Sequence, residues 1–67
     1  MIAIVVNGEP KSLEGPMSVA DLIGVLGLAG KRIALECNGE IVPRSRHAGM
    51  TIDEGDRIEI VVAVGGG

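Results

Sequence analysis

Apolar positions along the chain fall into three kinds of run. Ile2 to Val6 is continuously apolar over strand length and ends at Asn7-Gly8. That dipeptide suits a type I′ turn, whose two central residues both need positive φ. Lys11 to Leu13 then returns as a short antiparallel strand, and Gly15-Pro16 breaks the chain. Val19, Leu22, Ile23 and Leu26 recur at i, i+3, i+4 and i+7, one face of a helix. Ser18 precedes that face as its N-cap with Asp21 three residues later, a weaker form of the capping box. Gly27 stands where a left-handed C-cap would end the helix. Ile33 to Cys37 is a second long strand, Asn38-Gly39 repeats the turn signal, Glu40 to Val42 returns, and Pro43 stops it. Arg44 to Gly49 reads as polar and irregular, and Asp53 to Asp56 as a turn. Arg57 to Val64 is the last and most apolar strand, followed by three glycines.

The order is hairpin, helix, hairpin-like pair, final strand. A helix this short needs a sheet to pack on. The two most apolar strands, first and last, belong together at the sheet centre. The expected fold is therefore α+β: a β-grasp arrangement, with a mixed sheet of four to five strands and one helix across it. Residues 1–64 form the domain and 65–67 a flexible C-terminal glycine tail.

Composition narrows the functional classes. The chain has 67 residues, 46% of them hydrophobic, with no Phe, Tyr or Trp, so its core is aliphatic. So small a domain leaves little room for a deep catalytic cleft. Six Lys and Arg against nine Asp and Glu give a net charge of −3. An acidic balance without aromatic stacking platforms argues against nucleic acid. No apolar run approaches the roughly 20 residues that span a bilayer, and the start has no secretory pattern. Cytoplasm is the expected location.

Most candidate chemistry fails on counting. Cys37 and His47 are the only residues of their types, too few for a zinc site. A Cys37 nucleophile would depend on His47 as its base; otherwise Cys37 is a small strand side chain and His47 a surface loop residue. Gly30-Lys31 resembles the end of a phosphate loop. Val25 replaces the first glycine, however, and Arg32 the Ser or Thr. The carboxylates are dispersed or sit in a turn.

The C-terminus remains. Three to four extended residues reach roughly 10–13 Å. Glycine has no Cβ, so such a backbone can thread a narrow channel to another enzyme's catalytic atoms. The terminal carboxyl, with an ordinary pKa of about 3.3–3.7, is ionised at neutral pH. A carboxylate can attack the α-phosphate of ATP, and a sulfur nucleophile can then displace AMP. Around this stalk the alternation of the last strand sends Ile58, Ile60, Val62 and Val64 inward and leaves Val61 and Ala63 outward. In the first strand Ala3 and Val5 face out as well. Together these four residues are expected to form a small apolar partner-binding patch near the base of the tail, with Gly65 at its neck.

The chain resembles the ThiS family, the ubiquitin-like β-grasp sulfur carriers of thiamine thiazole biosynthesis. The resemblance runs the whole length, through Asn7-Gly8, Ser18 to Ile23, Ala34 to Arg44, Glu54 to Val61 and Gly66-Gly67. The segment Asn38 to Arg44 and the diglycine end are its most specific parts. Such a carrier is a protein co-substrate, not an enzyme. The resemblance implies that a ThiF-type enzyme adenylates Gly67 with ATP and Mg²⁺. Sulfur from a donor such as a cysteine desulfurase then makes a thiocarboxylate, and thiazole synthase, ThiG, takes the sulfur. Gly66 is the narrow neck; no cofactor is held by the carrier itself. Two departures stand out: His47 occupies a place usually aromatic, often Trp, and Gly65 adds a third glycine. Other carriers share the chemistry, among them the molybdopterin synthase small subunit and carriers for cysteine formation or tRNA thiolation. The small-subunit proteins tend to be longer and to contain aromatic residues. A plain β-grasp interaction module belongs to a different class.

Overall fold

The structure, a computed structural model, describes residues 1–63. Strands β1 (Ile2–Val6) and β2 (Glu9–Leu13) form the first hairpin. The two-residue strand β3 (Met17–Ser18) leads into helix α1 (Val19–Val25). Strands β4 (Ile33–Cys37) and β5 (Glu40–Ile41) form the second hairpin. A 3-10 turn (Arg44–Arg46), strand β6 (Thr51–Ile52) and strand β7 (Arg57–Val62) complete the order. The main sheet runs β2-β1-β7-β4-β5, and β3 pairs with β6 in a separate two-stranded piece. As the apolar pattern requires, β1 and β7 are neighbours. They pair in parallel, whereas β7 and β4 are antiparallel, so the five-stranded sheet is mixed.

The two hairpins and the helix have local causes. Asn7 and Gly8 both take positive φ, as do Asn38 and Gly39, which closes both hairpins in two residues. Ser18 caps α1: its hydroxyl accepts the Asp21 N–H at 3.0 Å. The helix ends in a Schellman motif. The Leu28 N–H reaches the Ile23 carbonyl and the Gly27 N–H the Gly24 carbonyl, both at 3.0 Å, with Gly27 at φ +74. Val19, Leu22 and Ile23 are buried against Ile2, Ile4, Leu35, Ile58 and Ile60 of the sheet, and Val42 and Ile52 close the core.

Three expectations need correction. Residues 44–50 are not simply irregular. After the 3-10 turn they reach α1, where the His47 carbonyl accepts the Ala20 N–H and the Met50 carbonyl the Val19 N–H, each at 2.9 Å. Helix N–H groups that lack partners within the helix are satisfied by this loop. His47 is accordingly half-buried rather than a surface residue. Strand β7 is described to Val62, and Val62, expected to point inward, is 39% exposed because the core stops at Ile60. Val64 and the glycine tail lie outside the described residues.

Candidate functional site

The strand that leads to the C-terminus is held from both sides. On the β4 side five residue pairs run from Ile33↔Val62 to Cys37↔Ile58. One further rung follows, in which the Ala63 N–H donates to the Arg32 carbonyl at 2.9 Å. On the β1 side the ladder is short, because β1 ends at Val6 opposite Ile58. The side chain of Asn7 continues it. The Asn7 backbone N–H donates to the Ile58 carbonyl at 2.9 Å, and its Oδ1 accepts the Ile60 N–H at 2.7 Å. Its Nδ2 donates to the Ile60 carbonyl at 3.2 Å. Asn38 repeats the device from the second hairpin. Its backbone N–H donates to the Arg57 carbonyl at 2.8 Å, and its Oδ1 accepts the Arg57 N–H at 2.9 Å. In both cases a side-chain oxygen takes the bond a strand carbonyl would make, where the chain has already turned away. The turn signal of Asn-Gly was legible in the sequence, but this second role of the two asparagines was not.

Val61 (68% exposed), Ala63 and Ala3 are exposed, and Val5 is half-buried. All four lie on the outward face, but they do not form one patch. The parallel register sets Val5 opposite Arg57, so Val61 lies four residues further along β7, about 13 Å at 3.3 Å per residue. Ala3 is further still: its carbonyl accepts the Gly55 N–H at 2.8 Å, at the turn that precedes β7. Only Val61 and Ala63 stand near the point where the chain leaves the sheet. The apolar neighbour of Val61 is Ala34 of β4, its exposed partner in the register. Next along the face, Glu59 opposes Glu36, and Glu36 opposes Ile41, which is 75% exposed. Gly65, Gly66 and Gly67 lie outside the described residues.

Cys37 and His47 have separate partners. Cys37 is buried, and its sulfur accepts from Asn38 Nδ2 at 3.6 Å. Burial pushes its thiol pKa above the ordinary value, and the Asp56 and Glu40 carboxylates add to the rise. A nucleophilic cysteine needs the opposite environment. His47 Nε2 lies 3.1 Å from the Val42 carbonyl; since a carbonyl only accepts, Nε2 carries the hydrogen. Among the described residues no group of three or more His, Cys, Asp or Glu could hold a metal, and no helix is long and apolar enough to cross a membrane.

With this geometry in view, residues 4–67 match the model of the ThiS family. The chain is 42% identical over 64 residues to a thiazole synthase of Paramagnetospirillum magneticum, covering 96% of this chain but 20% of that protein. It thus spans about a fifth of the length of that relative. An uncharacterized protein, ycf40, of Porphyra purpurea is 36% identical over 66 residues, covering 98% of this chain and 93% of its own. The crystal structure of the thiamine biosynthesis protein ThiS from Geobacter metallireducens superposes with a TM-score of 0.85 at 30% identity, covering 98% of this chain and all of that one.

Proposed function

The chain belongs to the ThiS family, and from that membership we propose that it is a sulfur carrier for thiazole formation in thiamine biosynthesis, with Gly67 as the residue that carries the sulfur. A terminal carboxylate oxygen of Gly67 attacks the α-phosphorus of ATP on a ThiF-type enzyme with Mg²⁺, and pyrophosphate leaves. The outer sulfur of a persulfide, carried on a donor such as a cysteine desulfurase, then attacks the acyl carbon and AMP leaves. A thiol cleaves the S–S bond of the acyl disulfide so formed, releasing the thiocarboxylate and ending in a disulfide with the donor cysteine. The resulting thiocarboxylate passes its sulfur to thiazole synthase. Catalysis belongs to these partners, and the carrier is their co-substrate.

The observation that carries this reading is the support of β7. Asn7 and Asn38 hold its backbone at Ile60 and Arg57, and Arg32 holds Ala63 four residues before the end of the chain. The domain thereby supplies a firm base for a short glycine stalk. Gly66 has no Cβ to obstruct a narrow channel. The exposed Val61, Ala34 and Ala63 beside that base suit the surface of a partner that accepts the stalk. Two relatives named thiazole synthase each contain a stretch like this chain, which supports that enzyme as the sulfur acceptor.

The test is intact mass after incubation with an adenylating enzyme, ATP, Mg²⁺ and a sulfur donor. Exchange of oxygen for sulfur raises the mass by about 16 Da, on the chemistry of a carboxyl-terminal residue. Deletion of Gly66 and Gly67 abolishes the rise and leaves the unfolding midpoint unchanged. A full-length chain that gains no sulfur with competent partners overturns the reading.

A further inference from the structure

A cleft of about 460 Å³ opens between residues 28–33, the loop before β4 with the first residue of that strand, and residues 44–48. Ile23, Leu28 and Ile33, all at least half-buried, give it an apolar floor. Lys31, Arg32 and Arg44 are exposed along it, with His47 beside them. None of the nine Asp and Glu side chains lines it. A chain of net charge −3 thus gathers half of its Lys and Arg at one opening. The cleft adjoins the exit of the chain: Arg32, one of its cations, accepts the Ala63 N–H through its own carbonyl.

We propose that this cleft docks an acidic segment of thiazole synthase, one apolar side chain on the floor and flanking carboxylates against Lys31, Arg32 and Arg44. The inference rests on the sulfur-carrier reading and adds a second contact to it. Charge complementarity selects an acidic occupant. The shape selects a stretch of protein over a small anion. A small-molecule site places a few polar groups inside an enclosed pocket. Here the cations are exposed, and among the described residues no buried side-chain polar atom lacks a partner. No aromatic ring is present to stack a nucleobase. The distance also fits. Residues 64–67 span at most roughly 14 Å when extended, so a protein that takes Gly67 into its active site lies within reach of the cleft. An opposite-sign contact at that range orients the encounter and speeds association.

The experiment is calorimetric titration of the full-length chain with purified thiazole synthase between 50 and 500 mM NaCl. Three forms are compared: wild type, K31E/R44E and K31R/R44K. Both substituted side chains are exposed, and circular dichroism checks the fold. The proposal expects K31E/R44E to bind at least tenfold more weakly at low salt, with a flatter salt dependence, and K31R/R44K to keep wild-type affinity. Equal affinity of K31E/R44E and wild type overturns it, and so does a wild-type chain that does not bind thiazole synthase. The mass test reads the carrier step separately: a chain that gains sulfur yet fails here keeps the carrier role and loses this docking site.

Discussion

The side-chain oxygen of Asn7 accepts the backbone N–H of Ile60 at 2.7 Å, across 53 residues of sequence. It stands in for the strand carbonyl that β1 no longer provides, and so carries the parallel ladder one step beyond the turn. Asn7→Gly tolerates the φ of +50 but removes both side-chain bonds to Ile60. An N–H left without its partner, part-buried as here, costs about 1–3 kcal/mol. Urea unfolding of Asn7→Gly is expected to show that loss, and hydrogen exchange at the Ile60 amide is expected to accelerate. An unchanged Ile60 amide would remove the clamp from the account.

Asn38 does the same for Arg57 and also donates to Asp56 Oδ1 at 3.1 Å. Asn38→Asp keeps an acceptor for Arg57 but turns a donor into a carboxylate facing another carboxylate. Exposed charges this close repel less as salt screens them. The penalty is therefore expected to be largest at low salt and to shrink as the NaCl concentration rises. Denaturation midpoints of wild type and Asn38→Asp at low and high NaCl check this. A gap that stays constant with salt would point to lost geometry instead of charge.

Two glycines near the end of α1 are expected to respond in opposite directions. Gly24 lies within the helix with open space around its Cβ position, so Gly24→Ala removes only the entropic penalty of glycine. Stability is expected to rise by about 0.5–1 kcal/mol, which moves Tm by several degrees in so small a domain. Gly27 is equally uncrowded but sits at φ +74 in the Schellman cap. Gly27→Ala is expected to cost about 1–2 kcal/mol from the backbone alone. Thermal melts of the two variants decide it.

The Cys37 thiol is expected to resist alkylation at pH 8 in the folded chain and to react readily in denaturant. Its raised pKa means that the folded state binds the proton more tightly than the unfolded state does. The thiol's share of stability is thus fully present below the ordinary thiol pKa of about 8.5 and is lost as pH rises through the higher folded value. Cys37→Ala is expected to flatten the alkaline part of the stability profile. It also leaves sulfur loading intact if Gly67 is the chemical site.

Much of this molecule was legible in one dimension. The period of Val19, Leu22 and Ile23, the cap at Ser18, the left-handed Gly27 and the two Asn-Gly turns depend on residues a few positions apart, where backbone sterics and local hydrogen bonds decide the conformation. Strands β3 and β6 were not legible, because two residues carry no periodicity and each forms only where the other lies. The same holds for residues 44–50, whose carbonyls serve a helix that begins 25 or more positions earlier.

The outward face divides in the same way. Alternation alone determined that Ala3, Val5, Val61 and Ala63 point away from the core, since successive side chains in a strand take opposite sides. Whether they meet depended on the offset between β1 and β7. A parallel pair joined through the whole domain has no turn to set its register, so core packing sets it, and it draws Ala3 and Val5 away from the exit, where the antiparallel β4–β7 pair puts Ala34 instead. The gathering of Lys31, Arg32 and Arg44 around one cleft was likewise decided only in three dimensions, when the loop after α1 and the turn after β5 closed over the same end of the sheet.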